Sequence, residues 1–188
     1  MEAQFERSGF YKVEKDYLRF LHSKDAQVFY MNTERYERKP HFGIIVGING
    51  MNYCIPLTSA KPRHLEWASI SRQNILIYEI TDRSSLRRTD IYKQVGTNSY
   101  KKIMAVLEIR KMIPVNDDLC TYIDFSQEQD PDYRALLEKE YRFLSPLKDM
   151  IVQRAFELYW EQKQTGIIRP CYCNFNTLEA AYHEYVSR

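Results

Sequence analysis

The chain of 188 residues has no long hydrophobic run. Its longest stretch of apolar residues and glycine is Phe42–Ile48, far short of the roughly 20 residues that span a bilayer. The opening residues, Met-Glu-Ala-Gln-Phe-Glu-Arg, are charged and hold no apolar core, which argues against a signal peptide. These absences predict a soluble, cytoplasmic protein with no membrane partner. Cysteine is scarce, at four residues. Cys54 lies in an apolar run and reads as a small core residue. Cys171-Tyr172-Cys173 lacks the spacer of a zinc knuckle, and no second pair follows it or Cys120. No glycine-rich loop precedes a helix, which removes support for triphosphate chemistry. The four histidines, His22, His41, His64 and His183, include no His-x-x-x-His pair, so a metal–histidine centre has no support either. Asp117, Asp118 and Asp124 are the one acidic set that a two-metal nuclease could use, and turn formation is their plainer reading. Neither a metal nor another cofactor is expected.

What is present suits a globular domain. Hydrophobic residues make up 44% and charged residues 28%, and a chain this long buries enough surface to need no crosslinks. There are no repeats and no low-complexity segment. One domain over 1–188 is expected, with 1–125 mostly sheet plus one N-terminal helix and 131–188 helical. Phe10–Val13 reads as a short strand, and Glu14–Ser23 as a helix with Tyr17, Leu18 and Leu21 on one side. Phe42–Ile48, Asn49-Gly50 and Met51–Leu57 give the clearest signal, because Asn-Gly favours positive φ at both turn positions of a hairpin. Further strands are predicted at Ile75–Ile80, Ile103–Ile109, Met112–Val115 and Thr121–Phe125, with Thr81–Lys102 as a loop. Short polar connections imply antiparallel pairing. Helices are predicted from Pro131 to Leu144, from a Ser145 N-cap with Pro146 in the first turn to about Gln164 before Gly166, and from about Thr177. The fold class is α+β.

Net charge is only +2, yet the charge is unevenly spread. Residues 60–115 hold 11 Lys or Arg against 5 Asp or Glu, whereas residues 116–144 hold 3 against 8. The basic segment mixes Arg83, Arg87, Arg88, Lys93, Lys101 and Lys102 with serine, asparagine and tyrosine, a composition suited to RNA backbone contact and base stacking. A solvated loop is the alternative.

Chemistry gathers where the hairpin ends. Thr58-Ser59-Ala60-Lys61-Pro62-Arg63-His64 places two hydroxyls, an ammonium, a guanidinium and an imidazole at one strand end. Such groups can stabilise a phosphate gaining negative charge in a transition state. An ST-turn with Lys61 and Arg63 in solvent is the competing reading. Lys39 precedes the first hairpin strand and Lys61 follows the second, so both flank its open end. Tyr36, Lys39, Thr58, Ser59 and Lys61 are therefore candidates to converge on one phosphate. Cations without a metal suit RNA cleavage by its own 2′-hydroxyl. A lysine of ordinary pKa, ~10.4, is a poor base at neutral pH, so the general base stays open.

Five segments together resemble the ToxN/AbiQ family of type III toxin–antitoxin endoribonucleases. They are Phe10-Tyr-Lys-Val13, Arg38-Lys-Pro-His-Phe-Gly43, Ile55-Pro-Leu-Thr-Ser-Ala-Lys61, Val106-Leu-Glu-Ile-Arg-Lys-Met-Ile-Pro-Val115 and Cys173-Asn-Phe-Asn-Thr-Leu-Glu179, in family order from about residue 10 to 185. The resemblance implies an extended MazF/Kid-like toxin core, a twisted antiparallel sheet with packed helices. It implies metal-independent, sequence-selective RNA cleavage to 2′,3′-cyclic phosphate and 5′-hydroxyl ends. The implied partner is a repeated pseudoknot antitoxin RNA, processed by the toxin and bound in a closed toxin–RNA ring. Cellular and phage RNA would be the substrates, with no protein partner required. The family's Thr-Ser-x-Lys motif falls on Thr58, Ser59 and Lys61, and its upstream Tyr and Lys on Tyr36 and Lys39. Family members commonly carry proline between the Ser and Lys, where this chain has Ala60, with Pro62 after the lysine. Arg35, Arg38, Arg63, His64, Arg87, Arg88, Lys101 and Lys102 are the candidate RNA-binding residues. The alternatives are a non-catalytic structured-RNA-binding module and a metal nuclease.

Overall fold

The computed structural model describes residues 9–30 and 42–188. In chain order the elements are β1 (Tyr11–Val13), α1 (Lys15–Lys24), β2 (Phe42–Ile48), β3 (Met51–Ser59), β4 (Ile75–Thr81), β5 (Ile91–Gly96), β6 (Ser99–Leu107), β7 (Ile113–Val115) and β8 (Cys120–Tyr122). Helices α2 (Pro131–Leu144), α3 (Lys148–Thr165) and α4 (Phe175–Val186) follow. Every strand pairing among the described residues is antiparallel, and the sheet runs β4-β6-β3-β2-β1-β8, with β5 beside β6 and β7 beside β3. The α+β expectation with a helical C-terminal part holds.

The β2–β3 hairpin forms as its turn dictates. Asn49 and Gly50 hold φ of 53° and 79°, and Ile48 pairs directly with Met51, so the turn's twist matches the strands. Strand β3 then changes partner along one edge. Asn52, Tyr53 and Cys54 face Val115, Pro114 and Ile113 of β7, whereas Leu57, Thr58 and Ser59 face Leu107, Val106 and Ala105 of β6. On that same edge of β6, β5 begins with Ile91 opposite Ile103. On this edge of β6 the chain departs after Ser59 and, having formed β4 on the other edge, returns at Ile91, so that only Met104 lies between their partners. Strand β4 pairs Ile77 with Ala105 and Tyr78 with Ile103, skipping Met104. That extra residue is a bulge, and it reverses which residues of β6 face each side. Val106 and Ile103 consequently share a face, with Leu76, as a small second core.

Most apolar side chains enter a larger cluster in which Phe10, Tyr17, Leu21, Val46, Ile55, Ile109, Leu137, Ile151 and Phe175 are buried. Helix α1 lies on α4, α4 on β7, α3 on β2 and α2 on β4. Tyr53 of β3 donates its hydroxyl to Glu179 of α4, whose other oxygen accepts from Lys163 of α3, tying the helices to the hairpin. Cys54 is buried, as its apolar setting predicts.

Several boundaries differ from the sequence reading. Residues 91–102 are not loop: they form β5, a turn with Asn98 at φ 95°, and the start of β6. Strand β5 reads Ile-Tyr-Lys-Gln-Val-Gly and is largely exposed, so it lacks the apolar alternation by which a strand is recognised. Ser145 is not an N-cap. Its backbone is helical, at φ −53° and ψ −45°, and its hydroxyl donates to the Tyr141 carbonyl. Helix α4 begins earlier than Thr177 because Asn174 caps it, accepting from the Thr177 N–H. The last strand spans Cys120–Tyr122, with Asp124 starting a short turn instead of continuing the strand.

Candidate active site

The pleat sorts the residues at the end of β3. Thr58 lies opposite Val106 of the small core, and Ala60 packs against that same core. Ser59 lies opposite Ala105, which belongs to the main core. Lys61 is still extended, at φ −134° and ψ 155°. Ser59 and Lys61 therefore leave on one side and Thr58 and Ala60 on the other. Ser59 and Lys61 are exposed, and Thr58 is half-buried. The structure brings Ser59 together with Lys61 and separates Thr58 from them. Among the described residues Lys61 has no ion-pair partner, so its charge is available to a ligand. Tyr36, Lys39, Arg35 and Arg38 lie outside the described residues.

A short helical turn, Pro62–Glu66, follows at once. Within it the Lys61 N–H donates to His64 Nδ1 at 3.0 Å, and the His64 N–H donates to the Lys61 carbonyl at 2.9 Å. This reciprocal pair fixes the backbone from which the lysine side chain departs. His64 is 1% exposed and its ring centroid lies 4.5 Å from that of Trp67. Burial, then the charges of Arg63, Lys61 and Arg110, push its pKa from 6.5 down to about 4, so the ring is neutral at neutral pH. With Nδ1 accepting, Nε2 carries the proton. The approach of Arg63 Nε to Nε2 at 3.5 Å is then a contact between two N–H groups, not a hydrogen bond. His64 as an RNA ligand is thus corrected: the ring is buried and serves the Lys61 backbone.

Trp67 gathers cations. Arg63 Cζ is 5.9 Å and Arg110 Cζ 5.5 Å from its ring centroid, distances at which a guanidinium is attracted to an aromatic face. Arg63 is exposed, as a phosphate contact requires, while Arg110 is held by buried Glu108 at 3.0 Å. Trp67 and Arg110 escaped the sequence reading because nothing local marks them. Only the fold brings the segment after β6 against this turn.

The remaining basic candidates divide by partner. Arg87 is exposed and lies 3.4 Å from Asp132, a pairing weak enough in solvent to exchange for another anion. Arg88 is exposed. Lys102 sits between Asp90 at 3.1 Å and Glu79 at 3.7 Å. It is therefore neutralised within the fold, where the sequence reading had it facing RNA. Lys101, on the opposite face, donates to Ser69 Oγ at 2.5 Å. Asp124 accepts from the Ser126 N–H and hydroxyl, which is the turn role. Among the described residues no three His, Cys, Asp or Glu side chains are grouped to hold a metal ion.

A family model described as "Toxin ToxN, type III toxin-antitoxin system" matches residues 9–183. Endoribonuclease ToxN of Bacillus thuringiensis subsp. kurstaki is 26% identical over 188 residues, covering 95% of this chain and 84% of its own. Among solved structures, a type III toxin described with its selective inhibition by a non-coding RNA pseudoknot superposes with a TM-score of 0.70. Its identity is 23%, with both chains fully covered. AbiQ, a lactococcal anti-phage endoribonuclease, gives 0.62 at 18% identity, again over the whole of both chains.

Proposed function

The chain belongs to the ToxN family of type III toxin–antitoxin toxins, and from that membership we propose that it is an endoribonuclease whose cut is made at the end of β3. The observation that carries the site is the shared side of Ser59 and Lys61, with Lys61 pinned through its backbone by buried His64. The attacking 2′-oxygen forms a bond to phosphorus, its proton leaves, and the bond to the 5′-oxygen breaks as that oxygen takes a proton. The products are a 2′,3′-cyclic phosphate and a 5′-hydroxyl. Lys61 neutralises the negative charge that accumulates on the phosphorane oxygens. The Ser59 hydroxyl holds a non-bridging oxygen or orients the 2′-hydroxyl in line. Thr58, on the other side of the strand, holds the RNA chain as it passes over the break between β3 and β5. Tyr36 stacks a base, and Lys39 anchors the scissile phosphate.

The same reading gives the toxin a repeated pseudoknot RNA as inhibitor and partner, bound in a closed toxin–RNA assembly, and an anti-phage role in the cytoplasm. No helix among the described residues is long and apolar enough to cross a membrane.

Incubation of the purified protein with RNA in excess EDTA tests the chemistry. Discrete fragments with cyclic-phosphate ends are expected. Cutting that stops in EDTA supports a metal nuclease instead, and RNA binding without cutting supports a non-catalytic module.

A further inference from the structure

Lys93 and Lys101 lie directly opposite one another on β5 and β6. Like charges so placed repel, and the pairing destabilises a sheet. Among the described residues neither has a carboxylate partner, although the adjacent Lys102 has two. Both ammonium groups are instead held by uncharged groups of one segment. Lys93 Nζ donates to the Leu65 carbonyl at 2.9 Å, and Lys101 Nζ donates to Ser69 Oγ while lying 4.3 Å from the Tyr78 ring centroid. The fold thus fixes two cations side by side and leaves their charge uncompensated.

We propose that Lys93 and Lys101 form a second phosphate subsite, which holds an RNA backbone phosphate beyond the one that is cut. The inference rests on the RNA-cleaving reading above and adds a place where the strand is gripped. Because Ile103 faces the small core with Val106, Lys101 and Lys93 lie on the face to which Thr58 points. Along β6 the subsite is roughly 13 Å from Thr58, counting about 3.3 Å per residue and discounting the bulge. That is too far for the scissile phosphate and within reach of a neighbouring one. Leu65, which holds Lys93, lies in the same turn as His64, so the subsite and Lys61 share one support. Burial, then the charge of Lys93, already lowers the Lys101 pKa, as expected for a cation that lacks its anion.

The source of the phosphate is either the substrate strand or the folded inhibitor RNA. Lys61→Met, expected to cut far more slowly, serves as the background for binding measurements with two probes, a single-stranded oligoribonucleotide and a pseudoknotted RNA. Lys93→Met and Lys101→Met are each expected to weaken binding about fivefold, the scale of one partly screened charge contact. The slope of log affinity against log salt should flatten by about 0.7, the value for one phosphate on a single strand. Lys101→Arg should restore most of the loss. Thermal unfolding of Lys93→Met should show no destabilisation, because one of two opposed like charges has gone. The probe that responds names the source. Unchanged affinity and salt slope for both RNAs would overturn the subsite. Wild-type protein that binds RNA but never cuts it would overturn the catalytic reading alone.

Discussion

His64 is the residue at which sequence and structure part most clearly. In sequence it is an imidazole among cations, the usual appearance of a phosphate ligand. In the fold it is buried beside Trp67, and its Nδ1 accepts the Lys61 N–H. Only an acceptor at that position preserves the bond. His64→Asn, whose amide oxygen can take the place of Nδ1, should keep most of the cleavage rate. His64→Phe fills the space without the acceptor and should lower kcat by about tenfold, the scale of one lost hydrogen bond on a positioned group. Its KM for RNA should change little. A KM effect without a kcat effect would show that the ring meets the ligand. The lysine was legible from its hydroxyl neighbours and the hairpin geometry. Its support was not, since burial of an imidazole depends on a tryptophan and on a segment, Glu108–Lys111, that arrives from far along the chain.

At the level of elements, the β2–β3 hairpin carries the proposed site, and its strands pack without slack. A Cβ on Gly43 would lie 2.1 Å from the Ile55 carbonyl oxygen and 2.6 Å from Cys54 Sγ, so Gly43→Ala must push β2 off β3. We expect a loss of about 1–3 kcal/mol, as for other overpacked sites, measurable by urea unfolding, together with a drop in cleavage. Unaltered stability would mean that the strands separate freely there. This hairpin was readable because Asn-Gly and two apolar runs all point to one geometry. Strand β5 was not readable for the opposite reason. It buries little, so no apolar pattern marks it, and its pairing with β6 is a tertiary fact. Lys101 and Lys102 point to opposite faces by strand alternation alone, but which of them shares the face of Thr58 is set by the Met104 bulge, which composition does not record.

For the whole molecule, two buried ionisable groups set opposite pH limits. His64 has a folded pKa of about 4 against 6.5, so the unfolded chain binds more protons in between. Stability is therefore lost as pH falls from about 6.5 towards 4. Glu140 is 2% exposed, and burial raises its pKa from 4.5 to about 8. Here the folded chain holds the extra proton, and stability is lost as pH rises from about 4.5 towards 8. Glu140→Gln should flatten the alkaline side of a plot of Tm against pH, and an identical slope would show that the carboxyl is not buried in solution. The net charge of +2 conceals the cations on which the account depends: among the described residues Lys61 and Arg63 at the end of β3, and Lys93 and Lys101 on the face of Thr58, stand without carboxylate partners, while Lys102 and Arg110 are neutralised within the fold. The most direct test of the central claim is single-turnover cleavage of a labelled RNA, in EDTA, by wild-type protein and by Lys61→Met. The account predicts cyclic-phosphate products from the wild type. For the variant it predicts a rate lower by about 10²–10³-fold, the scale for removing one transition-state charge contact, with unfolding temperature and RNA affinity largely retained. A folded Lys61→Met protein that cuts at the wild-type rate would contradict it.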